Sequence, residues 1–334
     1  MDRRKFLVAS CASMIAHAPS SIAFGELVSG ENATTQLREE LTICVVGIGP
    51  LGANALLELG PFAARPQHTS LLNIRDLDVR HLCIDRNGKG LAFRYGCKPK
   101  LVDVLSEMAA LDMEPEISLG TTLNSQFIAV DIVFVVADFD IASANRSAQA
   151  ITRLARRSGA FTVVLGANSS TPPTTLNSSL HLQGIEADAA LLLQESRGDH
   201  VAEQIRMIAT SAATSGLIGV DTADIAYALS GGVGCKRPGM LSGIAIGIGE
   251  GPARAKNAAT MAAGELDLRL PAPDGVFVKI SAAGRSLRIA EIDQVLHIVR
   301  QRISQDIFLI AASPVEKHLS GTLKVEILTS RWSA

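Results

Sequence analysis

The string Gly47-Ile48-Gly49-Pro50-Leu51-Gly52 closes a β-branched apolar run over 41–48 and opens a helically spaced stretch over 52–59. A glycine turn between strand and helix bares backbone N–H groups at a helix N-terminus, and the chemistry it serves is the holding of a phosphate. A dinucleotide reading asks for an acidic residue about 20 positions onward to bind a ribose. The nearest candidate, Asp85, follows the next short strand, 81–84, and lies farther along than that pattern wants. Packing competes with phosphate as the explanation, because glycines at such a turn also let the helix approach the sheet closely. The second feature is Asp221 with Asp224 three residues on, ahead of an apolar helical run. By residue type they are a helix N-cap and an acidic first turn, each favoured there by about 0.3–2 kcal/mol. No Ser-His-Asp or Cys-His constellation accompanies either feature. The five Cys and seven His are scattered without C-x-x-C spacing, so no metal site is expected.

The elements that position these groups alternate strand and helix. Residues 130–137 (VDIVFVVA) read as a continuous buried strand, 142–158 as a helix with its basic residues on one side, and 160–166 (AFTVVLG) as the next parallel strand. Residues 168–179 (NSSTPPTTLNSS) read as a loop and 187–194 as a strand. A helix over 199–215 carries apolar residues at Val201, Ile205, Ile208 and Ala212. After Gly216 the strand-like runs 276–281 and 307–312 flank a helix over 289–303, and 322–329 (TLKVEILT) alternates as a strand does. The fold class is α/β, with a Rossmann-type parallel-sheet domain over 41–198, a long central helix over 199–215 and a smaller α/β domain over 216–330.

Composition narrows the function classes. With 47% hydrophobic and 19% charged residues, the 334-residue chain can bury a sizeable core. Its 31 Lys and Arg nearly cancel 33 Asp and Glu, which argues against nucleic acid as the main partner. Aromatics make up only 4%, too few for a base-stacking platform. Beyond the N-terminus no apolar run reaches the roughly 18–20 residues that span a bilayer, so no transmembrane body is expected.

The N-terminus reads separately. MDRRKFL is followed by a moderately apolar stretch to Ala18 and by small-residue sites around 16–18 and 21–23. That is the layout of a signal peptide of the twin-arginine type over 1–23, with a linker over 24–40. Export is the expectation; the alternative is a solvated extension on a cytoplasmic protein.

Several tracts in order carry a family resemblance. ICVVGIGPLGANAL (43–56), VDIVFVVA, RRSGAFTVVLG (156–166), GLIGVDTADI (216–225), GIGEGPARAKNAATMA (247–262), GVFVKISAAG (275–284) and the stretch from SQDIFLIAAS (304–313) to KVEILT (324–329) are collinear with motifs of one group. Over roughly 41–330 the chain resembles the FtsZ branch of the FtsZ/tubulin superfamily. The resemblance implies an FtsZ/tubulin-like fold, GTP as the candidate cofactor and head-to-tail polymers in which the acidic loop of one subunit completes the hydrolytic site of its neighbour. Carried over by position, Gly47, Gly49, Gly52 and Asn54 match the first glycine loop, while Pro50, Leu51 and Ala53 depart from it. Asp199 falls where the family contacts guanine. Asp221 and Asp224 take the two catalytic acidic positions, and Gly219 replaces the family's Asn. The implied partner is a second copy of the chain or an FtsZ-type protein.

The departures are as specific as the matches. The family's G-G-G-T-G-T-G phosphate loop falls on residues 140–146 (DIASANR), which contain no glycine, and Asp138 and Asp140 add negative charge facing a polyanion. At about 4 Å and an effective dielectric near 20, one misplaced carboxylate costs roughly 4 kcal/mol against a unit phosphate charge. A micromolar affinity amounts to about 8 kcal/mol, and Arg146 would recover part of the loss. The G-A-G-x-x-P-x-x-G loop is also missing, since 95–105 (YGCKPKLVDVL) offers only Gly96, and the stretch from Asn168 to the central helix is shortened. With few residues after the last strand-like run, the expectation from the resemblance is a protein without the linker and terminal peptide usual in FtsZ proteins. Three readings follow. The first is a divergent FtsZ-like filament-forming or filament-modulating protein related to cell division, with GTP hydrolysis weak or lost. The second is a nucleotide-free FtsZ-fold assembly or protein-binding module, exported. The third, an NAD(P)-binding Rossmann enzyme, rests on GIGPLG alone.

Overall fold

The structure is a computed structural model that describes residues 42–59, 78–84, 130–139, 142–167, 185–193, 198–214, 216–229, 240–269, 273–283, 286–304, 306–316 and 318–332. The leader and linker expected over 1–40, Asp85, Asp140, the stretch 95–105 and the loop 168–179 lie outside the described residues.

Strands β1 (Thr42–Ile48), β2 (Asp78–Ile84), β3 (Ile132–Asp138), β4 (Phe161–Ala167) and β5 (Ala189–Leu193) pair in parallel, in the spatial order β2-β1-β3-β4-β5. β3 is apolar on both faces because both faces are covered. Ile132, Phe134 and Val136 join one core with helices α1 (Gly49–Leu59) and α3 (Gly198–Ala213). Val133, Val135 and Ala137 join a second core with α2 (Ala142–Arg157). The 3.6-residue period of α3 is realised as expected: Val201, Ile205, Ile208 and Ala212 are all buried.

The sheet does not end at β5. Leu191, Leu192 and Leu193 pair in parallel with Met240, Leu241 and Ser242 of β6 (Met240–Gly249), and β9 (Leu323–Trp332) runs antiparallel along the whole of β6. β7 (Gly275–Ala282) is antiparallel to β9, and β8 (Phe308–Ala312) is parallel to β7, so the sheet is mixed and mostly parallel. Between α3 and β6 lies α4 (Thr222–Leu229). A third core lies under α5 (Arg254–Arg269) and α6 (Ile289–Arg300), where Ala255, Ala258, Ala259, Ala262 and Ala263 meet Val276, Val278, Ile280, Val295 and Val299.

β6 and α5 carry no strand or helix signal of the kind read elsewhere. The glycines at 243, 247 and 249 lower the strand propensity of β6, and the buried face of α5 is built from alanine, so its apolar period is faint. The two features explain each other: a Cβ at Gly247 would sit 2.0 Å from the Ala258 carbonyl oxygen, so strand and helix meet backbone to backbone. Beside this contact the Ile246 N–H donates to the Glu265 carboxylate at 3.3 Å, which caps a backbone donor on this strand.

Candidate functional site

β1 has β2 on one side and β3 on the other, while α1 and α2 leave β1 and β3 toward opposite faces. Open α/β sheets take ligands beyond the C-terminal strand ends at such a reversal of strand order. Ile48 pairs with Ala137, so Asp138, half-buried at the end of β3, stands beside the start of the helix that opens with the glycine turn. Asp199 comes to the same sheet edge, in the first turn of α3 after the C-terminal end of β5. It is half-buried, and its Oδ1 accepts the His200 N–H at 3.0 Å. Asn54 is exposed on α1.

Two of the three turn glycines have a packing role. A Cβ on Gly47 would lie 2.6 Å from the Gly52 carbonyl oxygen, and a Cβ on Gly52 would lie 2.5 Å from the Gly47 carbonyl carbon and 2.9 Å from the Val136 oxygen. Each glycine is therefore required by the other, and α1 presses on β1 and β3 through them. In the segment matched by position to the glycine-rich phosphate loop, residues 142–146 already belong to α2, with Ala144 buried and Arg146 exposed. Phe139 is buried with its ring over Gly166 of β4, where a Cβ would come within 1.8 Å of the ring.

Asp221 and Asp224 are at the other end of α3. That helix has 16 residues, about 24 Å of rise, and the acidic loop follows its C-terminus. Within one chain the structure does not bring the acids to the glycine turn. They come together with each other: the Asp224 N–H donates to Asp221 Oδ1 at 2.8 Å, and the Asp221 N–H donates to Asp224 Oδ2 at 3.2 Å. This is a reciprocal capping box on α4, and both side chains are exposed. At Gly219 a Cβ would meet open space, so the packing does not demand glycine there.

The loop is tethered from outside. The Ile218 N–H donates to Ser313 Oγ at 2.6 Å, the Ser313 N–H donates to the Ile218 oxygen at 2.9 Å, and Gly216 forms a β-bridge with Pro314. α4 docks separately through Tyr227, edge-on to Phe308 of β8 at a centroid distance of 4.3 Å.

A buried charge network, which the sequence reading did not single out, lies behind this tether. Lys279 of β7 pairs in register with Glu326 of β9, both essentially inaccessible, with Nζ 2.8 Å from Glu326 Oε2 and 2.6 Å from Glu316 Oε1. Lys324 bonds Glu326 Oε1 at 3.0 Å and lies 3.5 Å from Glu203 of α3. Arg206 bonds Glu203 at 2.7 Å and also donates to the Glu58 carbonyl of α1. Burial pushes the Glu316 carboxyl up, but the charge and hydrogen bond of Lys279, with Ser281 and Lys324, outweigh it and hold it below the usual range. Burial pulls the Lys324 amine down, and the charges of Glu326 and Glu203 outweigh that, leaving it above its usual value. A signal was present in the sequence: a Lys inside GVFVKISA and a Glu inside KVEILT are single opposite charges in otherwise apolar strand runs.

Among the described residues no group of three or more His, Cys, Asp or Glu is arranged to hold a metal, and no helix is long and apolar enough to cross a membrane.

Comparison with known proteins bears on this architecture. Residues 241–331 match the model of the FtsZ family, C-terminal domain. A mutant FtsZ of M. jannaschii has the same fold with a TM-score of 0.61 at 17% identity, over 87% of this chain and 91% of that one. An empty FtsZ dimer of M. jannaschii gives 0.57 at 17% identity, over 93% and 92%. CetZ from Methanosaeta thermophila gives 0.55 at 14% identity, over 88% and 87%. No curated protein matches the sequence. The fold is that of the FtsZ/tubulin superfamily, and the family match over 241–331 together with that fold supports membership of the superfamily.

Proposed function

We propose that this chain is an FtsZ-like filament-forming or filament-modulating protein related to cell division, which associates head-to-tail and hydrolyses GTP weakly or not at all. One observation carries the reading: residues 142–146, the described part of the stretch matched to the phosphate loop, form a glycine-free helix start, with Asp138 at the reversal of strand order beside it. Where a polyanion would need bare backbone, the chain presents side chains and a carboxylate. If GTP binds, Gly47, Gly49, Gly52 and Asn54 would line its phosphate side and Asp199 its base. The separation of the acidic loop from the glycine turn by the length of α3 supports a head-to-tail arrangement, since another subunit, a second copy or an FtsZ-type protein, is needed to bring the two together. That an FtsZ dimer described as empty shares the fold supports self-association as a property compatible with it.

A second reading, a nucleotide-free assembly module, is favoured by the capping box, which accounts for both Asp221 and Asp224 without a phosphate. A leader over 1–23 would fit that reading, because an exported protein meets little nucleotide. The test is calorimetry of the full chain with GTP and GDP, with Asp199→Ala as control. Micromolar binding lost in the variant supports a nucleotide site rebuilt around the altered loop; no heat from folded protein supports the nucleotide-free module.

A further inference from the structure

The acidic loop is not held in place by its own helix alone. Residues 313–316 run between it and the buried charge network, tied at both ends by side chains. At one end Ser313, itself buried, exchanges two hydrogen bonds with Ile218, and Gly216 lies so close that a Cβ would sit 1.7 Å from the Ser313 oxygen. At the other end Glu316 receives Lys279 Nζ at 2.6 Å and the Ser281 hydroxyl at 2.9 Å. Its N–H donates to the Ala282 oxygen at 3.1 Å, and Val315 bridges to Ala282. Stability alone does not call for this arrangement, because apolar residues of similar volume commonly replace a buried ion pair at no loss. A buried cation between two carboxylates does fix where each carboxylate sits, and here one of them belongs to the segment that holds the loop.

We propose that residues 313–316 are a positioning strap for the acidic loop over 216–221, and that Lys279 sets the strap through Glu316. Ser313 and Lys279 are then positioning residues that act on the loop without belonging to it. The inference deepens the assembly reading, and rests on it for the claim that the loop is a contact surface.

The test uses the full chain and two variants, Ser313→Ala and the milder Glu316→Gln, which keeps the shape of the side chain and an acceptor for Ser281. Amide exchange at 216–221 and self-association by sedimentation velocity are measured under conditions where each protein is folded. Losing the Ser313 hydroxyl in one variant, or the charge that draws Lys279 to Glu316 in the other, is expected to speed exchange at Ile218 and Val220 by about tenfold while β7 and β9 are unchanged. Association is expected to weaken by a similar factor, an effect that a role confined to stability would not produce in folded protein. Unchanged exchange at 216–221 in both variants overturns the strap. Faster exchange with unchanged association overturns its positioning role. If the unaltered chain does not associate but the variants show faster loop exchange, the strap stands and the assembly reading fails.

Discussion

Asp221 and Asp224 cap each other's backbone: each accepts the other's N–H, at 2.8 Å and 3.2 Å, across the first turn of α4. Two acids that resemblance assigns to catalysis thus have a complete structural occupation. Separating the two roles needs variants that keep one and remove the other. Asn caps a helix about as well as Asp, whereas Ala does not. Asp221→Asn is expected to leave stability nearly unchanged and Asp221→Ala to cost about 1 kcal/mol, measured by urea unfolding. A fall in GTP turnover in the Asn variant at unchanged stability would assign the acid to chemistry.

The network around Lys279 makes the opposite kind of prediction. Lys279→Met leaves Glu316 and Glu326 buried without their shared cation and is expected to cost about 3–5 kcal/mol. Replacing Glu316 as well, as Lys279→Met with Glu316→Gln, should recover part of that loss, because Glu326 keeps Lys324 at 3.0 Å and the stranded Glu316 carboxylate is gone. Denaturant midpoints of the single and double variants decide it.

The same groups set the pH response. Glu316 is held below the usual carboxyl range by the balance of burial against Lys279, and Glu291 is held low chiefly by its hydrogen bond from Arg254 Nε at 2.7 Å. Lowered folded values mean stability that is present above the ordinary Glu value of about 4.3 and is lost as pH falls through the folded values. Lys324 is raised, so its contribution is complete below the ordinary Lys value of about 10.4 and is lost as pH rises through the folded value. Unfolding free energy plotted against pH should therefore fall at both extremes, and Glu316→Gln should flatten the acid limb.

Glycines divide into those the fold requires and those it does not. Gly52→Ala drives a Cβ into backbone atoms of Gly47 and Val136 that cannot move aside, so the cost should exceed the usual overpacking range of about 1–3 kcal/mol. Gly219→Asn, which restores the residue the resemblance expects, enters open space and should change stability by less than about 0.5 kcal/mol. Thermal unfolding of the two variants tests the contrast, and a gain in GTP turnover with Gly219→Asn would show that the loop acts on nucleotide.

Much of the fold was legible because burial on both faces leaves long apolar runs, as in β3, and a one-sided core leaves a helical stripe, as in α3. β6 and α5 were not, because glycine and alanine shape their contact and neither residue marks a period. At the candidate site the sequence pointed to the glycine turn and the acidic pair, but the contact of Gly47 with Gly52 and the exchange of hydrogen bonds between the two Asp exist only in three dimensions. The ties of Ser313 to Ile218 and of Lys279 to Glu316 join positions far apart along the chain, so no local pattern could announce them.

Self-association with GTP hydrolysis weak or lost is decided by sedimentation velocity of the full chain over a range of concentrations, with and without GTP. Association is expected to grow with concentration and to persist in GTP without the later disassembly that turnover would cause. A monomer at every concentration, or assembly that forms only with GTP and dissolves as GTP is consumed, would contradict it.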